Sequence, residues 1–202
     1  MEFYDFEDQI NQIVKTGNIQ DAIRKTEEKF KTIGETDFHK VIGRDLLHLK
    51  NDVNEFLNSL LEKSKENLDD DIKAIYVEMN GFTINHDVWF TTGFSFTFCN
   101  DSENTDWLAD YDYFFEMVMV ISGFEDLQKI YEDYMSNEKW DIEGLELASD
   151  FCALLITLRL LELFKVSFEK FTTKSEWTKI PVFVTSHDSE TLYSTIDCPQ
   201  LL

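Results

Sequence analysis

The spacing of apolar residues predicts helices throughout the first third of the chain. Apolar positions recur every three or four residues over 6–14, 19–33 and 38–61. Gly17 and Gly34 stand where the first two of these helices would stop. The charged residues among them alternate in sign, as is typical of a solvent-facing helix surface. The polar stretch that follows the third helix is predicted to be a loop.

The pattern changes from helices to strands near Ile72. Alternating side chains predict a strand over 72–79 and a second, unusually aromatic strand over 88–99. Joined through the loop 81–87, the two form an antiparallel pair. Gly93 interrupts the second strand and predicts a bulge. The hydroxyl-bearing residues of this strand are predicted to lie on a half-exposed face: Thr91, Thr92, Ser95 and Thr97.

The second half of the chain combines helices with one more strand. Residues 124–135 and 145–171 are predicted to be helices, and the second of these is apolar around most of its circumference, which marks a central buried helix. Residues 107–121 fit both a helix and a strand, and we favour a helix. A late strand over 180–186 opens with Pro181 and is therefore predicted at a sheet edge.

Together these elements predict a single α+β domain over residues 1–202. N-terminal helices and the long buried C-terminal helix are expected to pack on a small, mostly antiparallel sheet. A chain of 202 residues is long enough for one full core, and its apolar content of 43% is ordinary for a globular protein. The large net charge therefore does not indicate disorder, which would need low hydrophobicity as well.

The chain is strongly and unevenly acidic. It has 40 Asp and Glu residues against 18 Lys and Arg residues, for a net charge of −22. The middle of the sequence carries most of this excess, whereas the final quarter is nearly neutral, and an adaptation to salt would spread the acid more evenly. Phosphate contacts need a basic surface, so the composition argues against direct binding to nucleic acid.

Cysteine usage and hydropathy predict a cytoplasmic protein. The three cysteines are odd in number and widely spaced: Cys99, Cys152 and Cys198. This pattern predicts reduced thiols rather than a disulfide framework, and the first two lie in apolar stretches typical of small core residues. The N-terminal sequence shows no secretory signal, and the most apolar run, 151–164, is too short and too charged to span a membrane.

Motifs for nucleotide or metal binding are weak or absent in the sequence. It contains no glycine-rich dinucleotide motif, no P-loop and no G-x-S-x-G elbow. Asp101, Glu103 and Asp106 have the spacing of a calcium loop, but that loop lacks the Gly at its sixth position and the Glu at its twelfth. A solvated polar loop is favoured there, and neither a metal nor another cofactor is predicted.

Two His-Asp pairs are the remaining candidates for chemistry. If their loops share one edge of the sheet, His86-Asp87 and His187-Asp188 would meet, and Glu190 would complete a metal or acid–base cluster. Each His is explained more simply as a loop residue that caps a backbone group. The alternative hypothesis is therefore an enzyme or small-ligand binder with an aromatic pocket near His86 and His187.

The most distinctive segment runs from Ala74 to Gln128 and contains no Lys or Arg. It holds ten carboxylates interleaved with aromatic residues. Trp and Tyr anchor protein interfaces and carboxylates steer a basic partner, so this composition predicts a protein-binding surface. In the simpler interpretation the rings fill the core and the acids only face water. The predicted partner-binding residues are Asp101, Glu103, Asp106, Trp107, Asp110, Tyr111, Asp112, Tyr113 and Glu116.

The sequence therefore favours a non-enzymatic acidic module that binds and inhibits a basic protein. By class analogy, a bacterial immunity protein or antitoxin that neutralises a nuclease-type toxin needs these properties. A DNA mimic, in which spaced carboxylates imitate phosphates, is a close alternative. A mimic would bind several nucleic-acid-binding proteins, whereas an immunity protein would discriminate sharply between partners.

Overall fold

Helices pack against one small sheet. The computed structural model describes residues 3–85, 87–100, 105–187 and 189–198. The helices are α1 (Phe3–Lys15), α2 (Ile19–Phe30), α3 (Lys50–Asn67), α4 (Glu125–Ser136) and α5 (Leu145–Phe171). The strands are β1 (Ala74–Met79), β2 (Phe90–Phe96), β3 (Tyr113–Val120), β4 (Val182–Ser186) and β5 (Tyr193–Ser194). These elements confirm the predicted α+β class.

The sheet has the strand order β3-β2-β1-β4-β5. The predicted antiparallel pairing of β1 with β2 is confirmed, and Tyr76 lies opposite Phe94 in it. The β2–β3 and β4–β5 pairs are also antiparallel, whereas β1 and β4 run parallel. The parallel pair brings the carboxyl ends of β1 and β4 together, where the His187 N–H donates to the Met79 carbonyl at 2.8 Å.

The long helix α5 is the centre of the main hydrophobic core. It begins and ends at the predicted residues, and most of its apolar side chains are buried, as the all-round apolar pattern predicted. It contacts α2, α3 and β4. None of the helices in the described part of the chain combines the length and the hydropathy that a membrane-spanning helix requires.

The third predicted helix is broken. In place of one helix over 38–61, 3₁₀ turns at Asp37–Val41 and Leu47–Leu49 precede α3, which then continues to Asn67 into the predicted loop. Gly43 explains the break, because its φ of 77° lies in the left-handed region that an α-helix excludes. The Glu27 carboxylate accepts a hydrogen bond from the Gly43 N–H at 3.0 Å and stabilises this conformation.

Two strand predictions are corrected as well. Residues 113–120, for which we favoured a helix, form β3, because their β-branched and aromatic side chains pair with β2. The strand β4 does not lie at the edge, since β5 pairs with its outer side. Pro181 precedes β4 and contributes only its carbonyl, which accepts from the Ile75 N–H at 2.9 Å.

Two of the four hydroxyl-bearing residues that were predicted on a half-exposed face are buried, whereas Thr92 and Thr97 are half-buried. Thr91 and Ser95 are fully buried, and Gly93 lies between them against Leu60 of α3. The rings of the alternate positions point to the other face of the sheet, where Phe94 is only half-buried. Small side chains on the inner face let α3 approach the sheet closely. The predicted bulge at Gly93 is confirmed by a shift in the β2–β3 register between Thr91 and Gly93.

Substituting Gly93→Ala should lower the free energy of unfolding by about 1–3 kcal/mol, because the core is overpacked. The added Cβ would overlap Leu60 Cδ1 and lie 3.1 Å from Phe56 Cζ. Urea denaturation followed by circular dichroism measures the loss. Gly34→Ala is the matched control, since no atom lies within 4 Å of its added Cβ, and its free energy of unfolding should change by less than about 1 kcal/mol. Equal effects of both substitutions would contradict the close approach of α3.

The cysteines differ from the prediction of reduced thiols. Cys99 and Cys198 form a disulfide, with their Cα atoms 5.7 Å apart. The two cysteines are 99 residues apart in sequence, so local sequence patterns could not predict this pairing. Cys152 is free and fully buried in α5, as predicted for a small core residue. Disulfides persist mainly in oxidising compartments, so the cysteines no longer support a cytoplasmic location.

Candidate protein-binding surface

The described residues of the predicted partner-binding set lie at the β3 end of the sheet. A 3₁₀ turn at Asp106–Ala109 leads through Asp110 to Asp112 into β3. The turn buries Trp107 and Leu108 and leaves the side chains on either side of them exposed. Asp101 and Glu103 lie outside the described residues.

Trp107 supports the surface from beneath and is not an exposed anchor. Trp107 is 8% exposed, and its ring packs in a small second core on the outer face of the sheet. Its centroid lies 4.9 Å from that of Phe96 and 5.4 Å from that of Phe183. A large ring held edge-on between two others stabilises the turn that carries the acids.

The exposed acids have different local roles. The Asp112 carboxylate accepts hydrogen bonds from the Thr97 N–H at 2.6 Å and from Thr97 Oγ1 at 2.8 Å, so it holds the segment before β3 to the end of β2. Asp110 and Glu116 are exposed, and neither side chain makes a hydrogen bond or an ion pair with the described residues. Their charges are therefore available to a partner.

β3 presents an exposed apolar edge that the sequence analysis did not identify. In the described part of the chain, no strand pairs with the outer side of β3. An edge strand directs alternate backbone N–H and C=O groups outward. Met117, at 62%, is among the most exposed large apolar residues. Six exposed large apolar residues lie on or beside this edge: Val88, Tyr111, Phe114, Met117, Val118 and Val120.

A continuous aromatic layer runs from this edge across the outer face of the sheet. The Phe94 ring centroid lies 5.6 Å from that of Tyr76, 4.8 Å from that of Tyr111 and 5.4 Å from that of Phe114. These contacts join β1, β2, β3 and the segment before β3. Of the four rings, only Tyr111 belongs to the predicted set. The alternation of phenylalanines along 90–98 was a signal for Phe94. Tyr76 and Phe114 join the layer through the pairing of β2 with β1 and with β3.

Two cations near the ends of β3 are each paired with an acid. Lys63 of α3 interacts electrostatically with Tyr113 at the start of β3. Its Nζ lies 2.5 Å from Glu66 Oε2. Beyond the other end, Arg44 Nη1 lies 2.9 Å from Asp126 Oδ1. The middle of the edge keeps its unpaired negative charge, because the sequence around it contains no Lys or Arg. We call the exposed side chains of Asp110, Tyr111, Phe114, Glu116, Met117, Val118 and Val120 the acidic edge.

The histidine cluster is not assembled by the described residues. His86 and Asp188 lie outside them. His187 Nδ1 lies 2.8 Å from Glu78 Oε1, an acid that was not among the proposed partners. Within the described ranges, no group of three or more His, Cys, Asp or Glu side chains is arranged to hold a metal ion.

The acidic edge combines outward backbone groups, exposed apolar side chains and uncompensated carboxylates on an aromatic support. Comparisons of the chain with protein-family models, with curated proteins and with solved structures found no match.

Proposed function

We propose that this chain binds a basic protein through the acidic edge and thereby inhibits it, in the manner of an immunity protein or antitoxin that neutralises a toxin. The observation that carries the proposal is the coincidence of an unpaired, apolar edge strand with negative charge that has no local counter-charge. Soluble proteins usually blunt such an edge with Lys, Pro or a covering element. β3 contains none of these residues.

The edge favours a partner that adds an extended strand. β3 has eight residues and is therefore about 26 Å long at ~3.3 Å per residue. In strand addition, backbone hydrogen bonds supply affinity and alternate side chains supply specificity. The aromatic layer beneath holds Phe114 and Tyr111 in place, so little side-chain entropy is lost when they are covered.

The negative charge of the acidic edge determines which partner strands can pair with it. Two copies of this chain paired edge to edge would bring the uncompensated acids of both edges together, and each copy carries a net charge of −22. A second copy is therefore disfavoured by repulsion. A strand in which Lys or Arg alternates with apolar residues satisfies both the carboxylates and the exposed rings.

A synthetic octapeptide of alternating Val and Lys tests this directly, with the Val-Glu peptide as its counterpart. In isothermal titration calorimetry the Val-Lys peptide should bind with an affinity that falls as NaCl rises from 50 to 500 mM. The Val-Glu peptide should show no binding. Equal binding of both peptides, or binding of neither, would contradict the proposal.

Reversing the charge of two acids of the acidic edge should lower the affinity for the Val-Lys peptide about tenfold. Asp110→Lys with Glu116→Lys replaces two attractive rim contacts by repulsive ones, each worth up to ~1 kcal/mol. Asp5→Lys with Glu35→Lys is the matched control, because both residues are exposed on elements remote from β3 and the net charge changes equally. The control should stay within about twofold of the unmodified chain. Equal losses in both variants would show that only net charge matters.

A charge-neutral variant separates strand addition from DNA mimicry. Met117→Ser with Val118→Thr removes apolar surface from the edge and keeps every carboxylate. Strand addition predicts several-fold weaker binding of the Val-Lys peptide, because buried apolar area is lost. A surface that imitates phosphates through charge alone would bind unchanged. Once a natural partner is identified, its activity with each variant shows whether binding also inhibits.

A further inference from the structure

A cavity of about 240 Å³ lies at the carboxyl ends of the parallel strands β1 and β4, remote from the acidic edge. Residues of α1, α4 and α5 line its other walls. Ligand sites in sheets with parallel strands lie preferentially beyond such strand ends. The volume is below the ~300–1,000 Å³ of sites for drug-sized ligands, so a smaller molecule fits.

The cavity wall combines aromatic rings with carboxylates. Phe3 and Tyr4 of α1, Phe82 after β1 and Tyr131 of α4 supply rings. Phe82 and Tyr131 are held in place, with their ring centroids 5.9 Å apart. The Tyr131 hydroxyl is already used, since it donates to the Ser149 carbonyl at 2.7 Å.

Two carboxylates line this cavity without an ion pair. Glu7 of α1 and Asp150 of α5 form no ion pair among the described residues, and the lining contains no Lys or Arg. His187 also lines the cavity, but its Nδ1 lies 2.8 Å from Glu78 Oε1. Burial and the neighbouring Glu146 raise the pKa of Asp150 to about 6. Burial, with Glu190, Asp150 and Asp8 nearby, also raises the pKa of Glu7. Negative charge held here is therefore costly in the absence of a cation.

We propose that this cavity binds a small organic amine, with the ammonium between Glu7 and Asp150 and its apolar part against the rings of Phe82 and Tyr4. An ammonium offsets both carboxylates, and aromatic faces attract cations. A bare metal ion fits less well, because the described residues provide no group of three His, Cys, Asp or Glu side chains that could hold it.

The test compares three probes of one shape: 2-phenylethylamine, 2-phenylethanol and 3-phenylpropanoate. Titration at pH 7.5, followed by calorimetry and by NMR shifts of residues lining the cavity, should show the amine binding at least tenfold more tightly than the alcohol. The carboxylate should show no binding. Equal affinities for the amine and the alcohol, or binding of none of the three at millimolar concentration, would overturn the proposal.

Two variants that change the cavity, each compared with a control variant, locate the binding site. Asp150→Asn should reduce the affinity for the amine at least tenfold, whereas Glu55→Gln, an exposed acid on α3, should leave it unchanged. Ala153→Phe fills the cavity and retains both carboxylates, so it should abolish amine binding. It provides an independent test if Asp150→Asn fails to fold. Asp110→Lys with Glu116→Lys should bind the amine normally, which separates this site from the acidic edge. Full affinity for the amine in Ala153→Phe would place binding elsewhere.

Discussion

Replacing Arg159 with Leu should lower the free energy of unfolding by about 3–5 kcal/mol. The guanidinium donates from Nη1 to Glu162 Oε2 at 2.9 Å and from Nη2 to Glu27 Oε1 at 2.8 Å. The side chains of Arg159, Glu27 and Glu162 are only 11%, 16% and 6% exposed. Without the guanidinium, the buried Glu162 would lose this cation, and the largely buried Glu27 would keep only Lys31, whose Nζ lies 4.0 Å from Glu27 Oε2. Urea denaturation at pH 7, followed by circular dichroism, measures the loss.

The size of the effect follows from the number of elements that this network joins. Gln20 of α2 donates to Glu162 of α5, and Glu27 also accepts from the backbone at Gly43. Arg159 therefore holds α2, α5 and the turn before α3 together. A loss below about 1 kcal/mol, the usual value for an exposed ion pair, would show that this cluster is solvated and structurally unimportant.

Neutralising the acids along with the base is the decisive control. Arg159→Leu combined with Glu27→Gln and Glu162→Gln should recover most of the lost stability, because no uncompensated charge remains buried. Lys63→Leu, at the exposed pair with Glu66, should change the free energy of unfolding by less than ~1 kcal/mol.

Reduction of the Cys99–Cys198 disulfide should lower the free energy of unfolding by about 2–4 kcal/mol. The bond closes a loop of 99 residues and thereby restricts the unfolded chain. In the folded chain it holds the C-terminal segment against the small core that contains Trp107 and Phe183. Urea denaturation with and without a phosphine reductant compares the two states directly.

The double variant Cys99→Ser with Cys198→Ser provides the control. It should unfold at the same urea concentration with and without reductant, and near the reduced form of the unmodified chain. Cys152 does not interfere, because it is fully buried and burial raises the pKa of its thiol to about 12. If the oxidised and reduced forms unfold at the same urea concentration, the disulfide adds no stability.

Local periodicity was sufficient to predict most of the helices and the first strand pair. α5 was predicted with its correct ends, because a helix that is apolar all round needs no knowledge of its neighbours. The β1–β2 pair followed from two alternating segments and the loop between them. In these cases the residues that decide the structure are close in sequence.

The errors arose where distant contacts decide the outcome. Residues 113–120 are a strand because β2 pairs with them, a choice that their own sequence leaves open. Thr91 and Ser95 were predicted to be half-exposed from their polarity, yet the approach of α3 to Gly93 requires small side chains there. The hydroxyls of Thr91 and Ser95 have no hydrogen-bond partner among the described residues.

The exposure of the predicted partner-binding residues could be deduced only in part for the same reason. Asp110 and Glu116 are exposed, as charged side chains are almost regardless of fold. Trp107 is buried because Phe96 and Phe183 lie on the same face of the sheet, and their contact depends on strand order. That β3 is an edge strand could not be deduced before the order of all five strands was known.

The central position of β1 also affects how the protein folds during its synthesis. Its neighbour β2 leaves the ribosome soon after it, but its parallel partner β4 ends only at Ser186. At translation rates of about 5–20 residues per second, one side of β1 stays unpaired for roughly 5–20 s until β4 has been synthesised. An uncovered strand side is a template for pairing between chains. The nascent polypeptide therefore passes through a period of aggregation risk that its finished fold does not reveal.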